Sequence, residues 1–261
     1  MNQPAIPRIE IFAIPGIPEI EAGADLGRLI VAAMAAAGER WARGDVIAVA
    51  QKVVSKAEGR TRALKDIEPS ERAREIARQS GKDARKVQAI LDESSDILRV
   101  VPAKPDGIVI ARHRQGWVCA NAGIDESNLG QHQGELLLLP LDPDASARRI
   151  ADTIQALTGV RPGVLITDTF GRPWRRGLVN IALGLSEVPA IVDWIGKNDA
   201  YGRPLQVSQQ ALGDEIAAAS GLLSLKDAAL PVTVFRNLQW SASPAASGNQ
   251  FVRPLKEDLF Q

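Results

Sequence analysis

The stretch from Val164 to Gly177 begins as a strand that has to be buried and ends in a cluster of charge. Its first residues form a continuous apolar run and do not alternate between apolar and polar residues as a half-exposed strand does. Such a run is typical of a strand covered on both faces. Asp168 follows this run directly, and Thr169, a Gly turn and three arginines come after it. The chain is therefore expected to build a sheet in which a buried strand delivers a carboxylate to one edge.

A second continuous apolar run, Asp45 to Ala50, predicts another strand buried on both faces. The polar stretch Gln51 to Arg60 is interpreted as its continuation, ending in a Glu58-Gly59 turn. Further strands are expected at Ile9–Ile14, Ile108–Ala111, Trp117–Ala120, Leu136–Leu139 and Val232–Phe235, and helices at Asp25–Ala37, Ser70–Ser80, Asp83–Glu93, Asp144–Leu157 and Gln209–Leu223.

These elements alternate without a regular strand–helix rhythm, which predicts a mixed α/β (α+β) fold with mixed sheets and flanking helices. The chain has no Gly-x-x-x-x-Gly-Lys-Ser/Thr and no Gly-x-Gly-x-x-Gly sequence, so a nucleotide site in it would be neither P-loop nor Rossmann. Residues 1–240 are predicted to form one domain, or two intimate subdomains. Residues 241–261 begin with a Ser-, Ala- and Gly-rich stretch and are predicted to be a flexible linker and a C-terminal tail.

The overall charge excludes broad classes of partner. Lys plus Arg and Asp plus Glu both total 31, so the formal net charge is +0, which argues against nucleic acid or an anionic membrane as partner. The most apolar run, Leu29 to Ala37, is too short to span a bilayer. The single cysteine, Cys119, allows no intramolecular disulfide and suits a cytoplasmic protein. It is interpreted as a small strand residue, and His113 and His132 as surface or structural residues without metal-ligand spacing.

Asp168 and Thr169 offer hard oxygen atoms of the kind that Mg²⁺ and Mn²⁺ prefer. Taken alone, this dipeptide is better explained as a turn that caps local backbone N–H groups. The clustered Arg172, Arg175 and Arg176 change that balance, because a bound phosphate would contribute roughly 1.5–3 kcal/mol for each charge-assisted hydrogen bond. Solvated surface salt bridges, worth about 0–1 kcal/mol each, are the less favoured explanation of the cluster.

Two further stretches are candidates for the same site. Asn121 to Asn128 supplies amides, a hydroxyl and the carboxylate of Asp125, although an ordinary turn has this composition too, and the spacing leaves open whether Asp125 meets Asp168. Lys52 and Lys56 follow the strand that ends at Ala50 and would act as point charges on phosphate. A solvated edge strand explains these lysines equally well.

With these motifs in order, the chain resembles the coenzyme F420-0:L-glutamate ligase (F420-0:gamma-glutamyl ligase) family from Ile9 to about Asn237. The resemblance implies a family-specific mixed α/β fold, an intertwined homodimer, and a ligase that uses GTP and a divalent metal to join L-glutamate to coenzyme F420-0. The stretches that carry it are Val49–Arg60, Asn121–Asn128, Leu138–Ser146, Ile166–Gly177 and Asp193–Arg203.

The resemblance also assigns roles to particular positions. The positions expected to ligate Mg²⁺ or Mn²⁺ are Asp125, Asp168 and Thr169, and K⁺ is a further candidate cofactor. Those expected to line the nucleotide site are Ile17, Pro18, Glu19, Ile20, Gln51, Lys52, Lys56 and Asn128. Those expected to act in catalysis are Asp168, Arg175, Arg176 and Lys56. The reaction expected is phosphorylation of the acceptor's phospholactyl carboxylate, followed by attack of the glutamate amine.

Two segments depart from the family pattern. Ser224 to Ala229 replaces a short Gly-containing stretch, and Val234 to Asn237 replaces an Arg-Gly ending. Two alternatives therefore stand beside the main hypothesis: the same ligase chemistry on another acidic acceptor, and a guanine-nucleotide-binding relative without catalysis. The intact metal positions Asp125, Asp168 and Thr169 argue against the second alternative.

Overall fold

The computed structural model describes residues 6–103, 106–126, 134–224 and 228–258. The strands are β1 (Glu10–Ala13), β2 (Val46–Ala50), β3 (Thr61–Ala63), β4 (Ser94–Val101), β5 (Ile108–His113), β6 (Val118–Ala120), β7 (Glu135–Leu137), β8 (Gly163–Arg172), β9 (Arg175–Ser186), β10 (Val192–Asp193), β11 (Gln209–Gln210) and β12 (Val232–Arg236). The α-helices are α1 (Leu26–Ala36), α2 (Gln51–Ala57), α3 (Glu71–Ser80), α4 (Ala84–Glu93), α5 (Pro143–Thr158) and α6 (Leu212–Ser220).

The largest sheet of the described residues has the strand order β1-β12-β2-β8-β9. β2 and β8 run parallel and every other neighbouring pair in the sheet is antiparallel, so the sheet is mixed, as predicted. Apolar side chains cover both faces of it: α1 and α5 pack on one face with Ile47 and Ile166, and α6 packs on the other with Leu165. The burial of β2 and the first half of β8 on both faces confirms the prediction made from their continuous apolar runs.

A smaller sheet, β4-β5-β6, packs with α3 and α4 around a separate apolar cluster that includes Val87, Ile90 and Val109. α3 begins at the Ser70 cap and ends at Gly81, whose φ of +84° favours glycine. A mixed α+β fold is thus confirmed, and no helix among the described ranges is long and apolar enough to cross a bilayer.

Three expected elements differ from the structure. Residues 51–57 form α2 and not a continued strand, because Gln51, Val54 and Ser55 are buried at helical spacing. Asp168 lies within β8 and not at its end, since β8 continues to Arg172 and pairs with β9 as a long hairpin. The fifth α-helix is capped by Asp142, whose side chain accepts a hydrogen bond from the Ala145 N–H, and not by Asp144.

Asp144 instead attaches the C-terminal segment to the body. Its carboxylate accepts hydrogen bonds from the Leu185 N–H at 2.8 Å, the Gly248 N–H at 2.9 Å and the Ser247 hydroxyl at 2.6 Å. Phe251 packs into two apolar clusters next to β9. The stretch predicted as a linker therefore includes residues that lie packed on the body, while the domain boundary at residue 240 stays a prediction.

Replacing Asp144 with alanine is expected to loosen this segment, because three donors lose a charged acceptor worth roughly 1.5–3 kcal/mol for each bond. Limited chymotrypsin digestion followed by mass spectrometry should show earlier cleavage after Phe251, which is packed against the body in the unaltered protein. Asp142→Ala is the matched control, since it removes only a helix cap, worth about 1 kcal/mol. Equal rates of cleavage after Phe251 in the two variants would contradict the assignment.

Candidate functional site

The candidate site begins where β2 and β8 run side by side. Ala50 is paired with Thr167 at the end of the parallel ladder, so Gln51 and Asp168 both follow at the same edge. The chain turns into α2 at Gln51, whereas β8 continues along β9. Two strands buried on both faces therefore fix the backbone on which these side chains are carried.

The Asp168 carboxyl group is the electrostatic centre of the site. It accepts a hydrogen bond from the Thr169 N–H at 2.8 Å. Its pKa is raised from 3.8 to about 7, chiefly by burial and also by the negative charge of Asp125, while the Thr169 N–H, Lys52 and Gln51 oppose the rise. A carboxyl group held in this way is destabilised in its ionised form until more positive charge arrives.

Asp125 reaches the same site from the loop after β6. Its backbone pairs with Leu137 through two hydrogen bonds, which fixes the start of the loop against β7. Its carboxylate forms an ion pair with the Lys52 Nζ at 2.6 Å. Its negative charge also helps to raise the pKa of Asp168. The structure thus brings together the two carboxylates whose meeting the spacing left open.

α2 presents its other polar side chains along the same region. Gln51 is buried, its Oε1 accepts from the Ser55 hydroxyl at 2.8 Å, and its amide acts on the Asp168 carboxyl. Lys56, mostly buried, forms an ion pair with Glu19. This pair joins α2 to the loop after β1, the stretch expected to line a nucleotide.

In that loop, Ile17 and Ile20 pack into the core below the sheet, and Pro18 and Glu19 are exposed. The anchored isoleucines hold the loop while its exposed residues face outward next to Lys56. The predicted site residue Asn128, with Ser127 and His132, lies outside the described residues.

Arg175 and Arg176 are not near Asp168 within one chain. They start β9 at the tip of the hairpin, where Arg175 pairs with Arg172. Arg172 is four residue steps along β8 from Asp168, which at about 3.3 Å per step is roughly 13 Å. The arginine cluster and the carboxylates therefore form separate features of the protomer.

The donor set suits a hard divalent cation. Asp168 and Asp125 offer carboxylate oxygens, and a cation would offset both the burial and the repulsion that raise the pKa of Asp168. Thr169, the next residue of β8, carries its hydroxyl on the opposite face of the strand, beside Asn180. The described part of the chain contains no group of three or more His, Cys, Asp or Glu side chains placed to hold a metal ion, so carboxylates alone would not complete the coordination. Water or substrate oxygens would have to supply the rest, as is usual for Mg²⁺.

Cys119 lies close enough to Asp168 for that charge, together with burial, to raise the pKa of its thiol to about 12. It is a neutral, buried strand residue, as predicted. His113 is buried too, with its Nε2 3.5 Å from Glu93. Neither residue contributes a donor to the candidate site.

Sequence reasoning missed Asn180 on β9, which is paired with Thr169 across the hairpin. The Thr169 hydroxyl donates to the Asn180 Oδ1 at 2.8 Å. No local pattern marks this asparagine, because its role depends on the register between two strands. The sequence signal next to it is the apolar run that follows, which indicates a strand but does not give its pairing with β8.

A cavity of about 440 Å³ lies at the other end of α2, between that end, the start of α1 and α5. Glu58, Ser146 and Arg149 line it and are joined to one another by hydrogen bonds. It does not include Asp168, Asp125 or Lys52, so this cavity and the convergent charges are different places.

The protein is thus a mixed α+β protein that carries two carboxylates and two lysines at one edge of a buried pair of parallel strands. The family model of F420-0:Gamma-glutamyl ligase matches residues 16–237. The chain belongs to this family, a family of ligases of coenzyme F420 biosynthesis. The resemblance inferred from the motifs is thereby confirmed.

Three relatives align with nearly the whole chain, and each of them is named Coenzyme F420:L-glutamate ligase. The protein of Archaeoglobus fulgidus is 44% identical over 255 residues, 97% of this chain and 97% of the relative. The protein of Methanothermobacter thermautotrophicus is 40% identical over 255 residues, 97% of this chain and 99% of the relative. The protein of Methanopyrus kandleri is 43% identical over 235 residues, 90% of this chain and 89% of the relative.

The raised pKa of Asp168 predicts a stability effect in the protein without added metal. A carboxyl group with a folded-state pKa near 7 and an ordinary value of 3.8 favours the folded state when protonated, and this contribution is lost as the pH rises from about 4 to about 7. Asp168→Asn should therefore raise the free energy of unfolding by about 2 to 4 kcal/mol at pH 8, and by clearly less at pH 5. Urea unfolding at the two pH values measures this, and a pH-independent difference would contradict it.

Proposed function

We propose that the protein is a GTP-dependent ligase that forms an amide between L-glutamate and the phospholactyl carboxylate of coenzyme F420-0. The observation that carries the proposal is the convergence of Asp125, Lys52 and Gln51 on Asp168 in a chain of this ligase family. The named relatives support the choice of acceptor and amino acid. An acidic acceptor and a nucleotide both bring negative charge, which the lysines of α2 are placed to meet.

The proposed reaction has two steps. An oxygen of the acceptor carboxylate attacks the γ-phosphorus of GTP, the bond to the β-phosphate oxygen breaks, and GDP leaves. The glutamate amine then attacks the carbonyl carbon of the acyl phosphate, loses a proton and expels inorganic phosphate. Such a reaction needs positioning and charge stabilisation more than a protein nucleophile, in keeping with a neutral Cys119.

Asp125, Asp168 and Thr169 are the residues proposed to hold Mg²⁺ or Mn²⁺. When bound, the cation would neutralise charge on the phosphate oxygens. Asp168 supplies a carboxylate whose ionised form is costly without positive charge, and Lys52 limits the repulsion between it and Asp125. K⁺ as a further cofactor stays a prediction.

The nucleotide is proposed to lie along α2 and the loop after β1. The ammonium group of Lys56 forms an ion pair with Glu19, and it would also interact with a phosphate of the bound nucleotide. The residues proposed to line the nucleotide are those expected from the family: Ile17, Pro18, Glu19, Ile20, Gln51, Lys52, Lys56 and Asn128.

A homodimer is part of the proposal, because the hairpin of β8 and β9 exposes large apolar side chains as well as arginines. Trp174 at its tip is 86% exposed and Leu178 is 59% exposed, a costly arrangement in water. Burial against a second copy would cover them, and would give Arg175 and Arg176 a place in the partner's site. Sedimentation equilibrium should give twice the mass of the chain, and a monomer at micromolar concentration would contradict this part.

The test is phosphate release by the purified protein with F420-0, L-glutamate, GTP and Mn²⁺, with mass spectrometry of the product. A product heavier by one or more glutamyl units, formed only with both metal and GTP, is the expected result. Turnover with ATP alone would overturn the nucleotide assignment. GTP binding without added glutamate would instead support another acceptor or a non-catalytic relative, and would turn attention to residues 224–229.

A further inference from the structure

We infer that Asn180 and Ser220 form a positioning pair that fixes the Thr169 hydroxyl as an oxygen donor for a cation. The inference rests on the proposed metal site, and it adds residues and a direction of hydrogen bonding that the family resemblance does not assign. It starts from a chain of hydrogen bonds that leads from the end of α6 to the surface of β8.

The chain begins at a buried hydroxyl. Ser220, the last residue of α6, is 1% exposed, and its Oγ donates to the Ala217 carbonyl at 2.7 Å. The last carbonyls of a helix lack backbone partners, so this bond satisfies one of them. A hydroxyl has a single proton, and with that proton used Ser220 can only accept from its next neighbour.

That neighbour is the Asn180 side chain, whose Nδ2 donates to the Ser220 Oγ at 3.3 Å. Because an amide has its donor and acceptor on opposite branches, this bond turns the Asn180 Oδ1 toward Thr169. The Thr169 hydroxyl donates to that oxygen at 2.8 Å. Its one proton is thus used in the bond to Asn180, and its lone pairs remain for a cation.

The chain is held by packing as well as by hydrogen bonds. α6 is attached to β9 at its other end by the Asp214 carboxylate, which accepts from the Ala182 N–H at 2.9 Å. A Cβ added at Gly221 would lie 3.3 Å from the Asn180 Nδ2, so the end of α6 sits directly against the amide. Asn180 cannot easily rotate, which is the condition for orienting Thr169.

The experiment is direct Mn²⁺ titration of the purified protein, following the electron paramagnetic resonance signal of the free ion, so it does not depend on turnover. Asn180→Leu should weaken binding roughly 10- to 100-fold, the usual range for residues that orient metal ligands. Ser220→Ala leaves the Asn180 amide without the acceptor that orients it and should weaken binding as well. Asn249→Leu, at an exposed asparagine, is the control and should bind Mn²⁺ as the unaltered protein does.

A double-mutant cycle separates orientation from simple damage. If Asn180 acts through Thr169, adding Asn180→Leu to Thr169→Val should cause no further loss. Additive losses, or unchanged binding by Asn180→Leu, would overturn the inference. Asp168→Asn tests the proposed metal site itself: if the unaltered protein shows no specific Mn²⁺ site, or if Asp168→Asn binds Mn²⁺ as tightly as the unaltered protein does, both proposals fall. Loss with Asp168→Asn but not with Asn180→Leu would reject the positioning pair alone.

Discussion

Replacing Asp168 with asparagine is expected to lower turnover by at least about a thousand-fold, the scale of losing a group that stabilises transition-state charge. Asparagine keeps the shape and can still accept from the Thr169 N–H, so the local strand pairing should survive. What it removes is the negative charge at the point where Asp125, Lys52 and Gln51 converge. The measurement is steady-state formation of the glutamylated product.

The control for that loss is Asp96→Asn, an exposed aspartate on β4 outside the site. It removes one negative charge without touching β2 or β8, so its turnover should equal that of the unaltered protein. The Asp168 variant is also expected to be more stable at pH 8. Loss of activity with a gain in stability would separate a functional carboxylate from a structural one, and normal turnover by Asp168→Asn would reject the site.

The sequence predicted an element correctly where a local residue pattern determines that element, and failed where tertiary packing does. The apolar runs of β2 and β8 predicted buried strands because continuous burial leaves a continuous pattern. α2 was missed, although Gln51, Val54 and Ser55 already show helical spacing in a short polar stretch. The turn to a helix is favoured by burying Val54 in the core, a tertiary effect that local polarity obscures.

The site divides in the same way. Asp168 was found because it directly follows the apolar run of β8, and Lys52 and Lys56 were candidates because they follow the apolar run of β2. The meeting of Asp125 with Asp168 depends on how the loop after β6 packs against β7, which spacing does not encode. Asn180 had no local signal at all, because its partner Thr169 is set by the hairpin register.

The largest expected effect on stability concerns an ion pair at the other end of β2. Asp45 is fully buried, and Arg236 on β12 holds its two oxygens through Nε and Nη2, each at 3.0 Å. The hydrogen bonds that Arg236 donates to Asp45 raise the pKa of its guanidinium group, so the cation is retained at every accessible pH. Arg236→Met is expected to lower the free energy of unfolding by about 3–5 kcal/mol, because it leaves a buried carboxylate with only the Ala42 N–H.

The effect should be asymmetric between the partners. Asp45→Asn keeps an acceptor for the Ala42 N–H, and Arg236 remains bound to Glu39 and to the Arg40 carbonyl, so its cost should be clearly smaller. Urea unfolding at pH 7 measures both variants, with Arg28→Met, at an exposed ion pair with Asp25, as the control expected to cost less than about 1 kcal/mol. If Arg236→Met cost no more than Arg28→Met, Asp45 and Arg236 would not hold β12 against β2 as an ion pair.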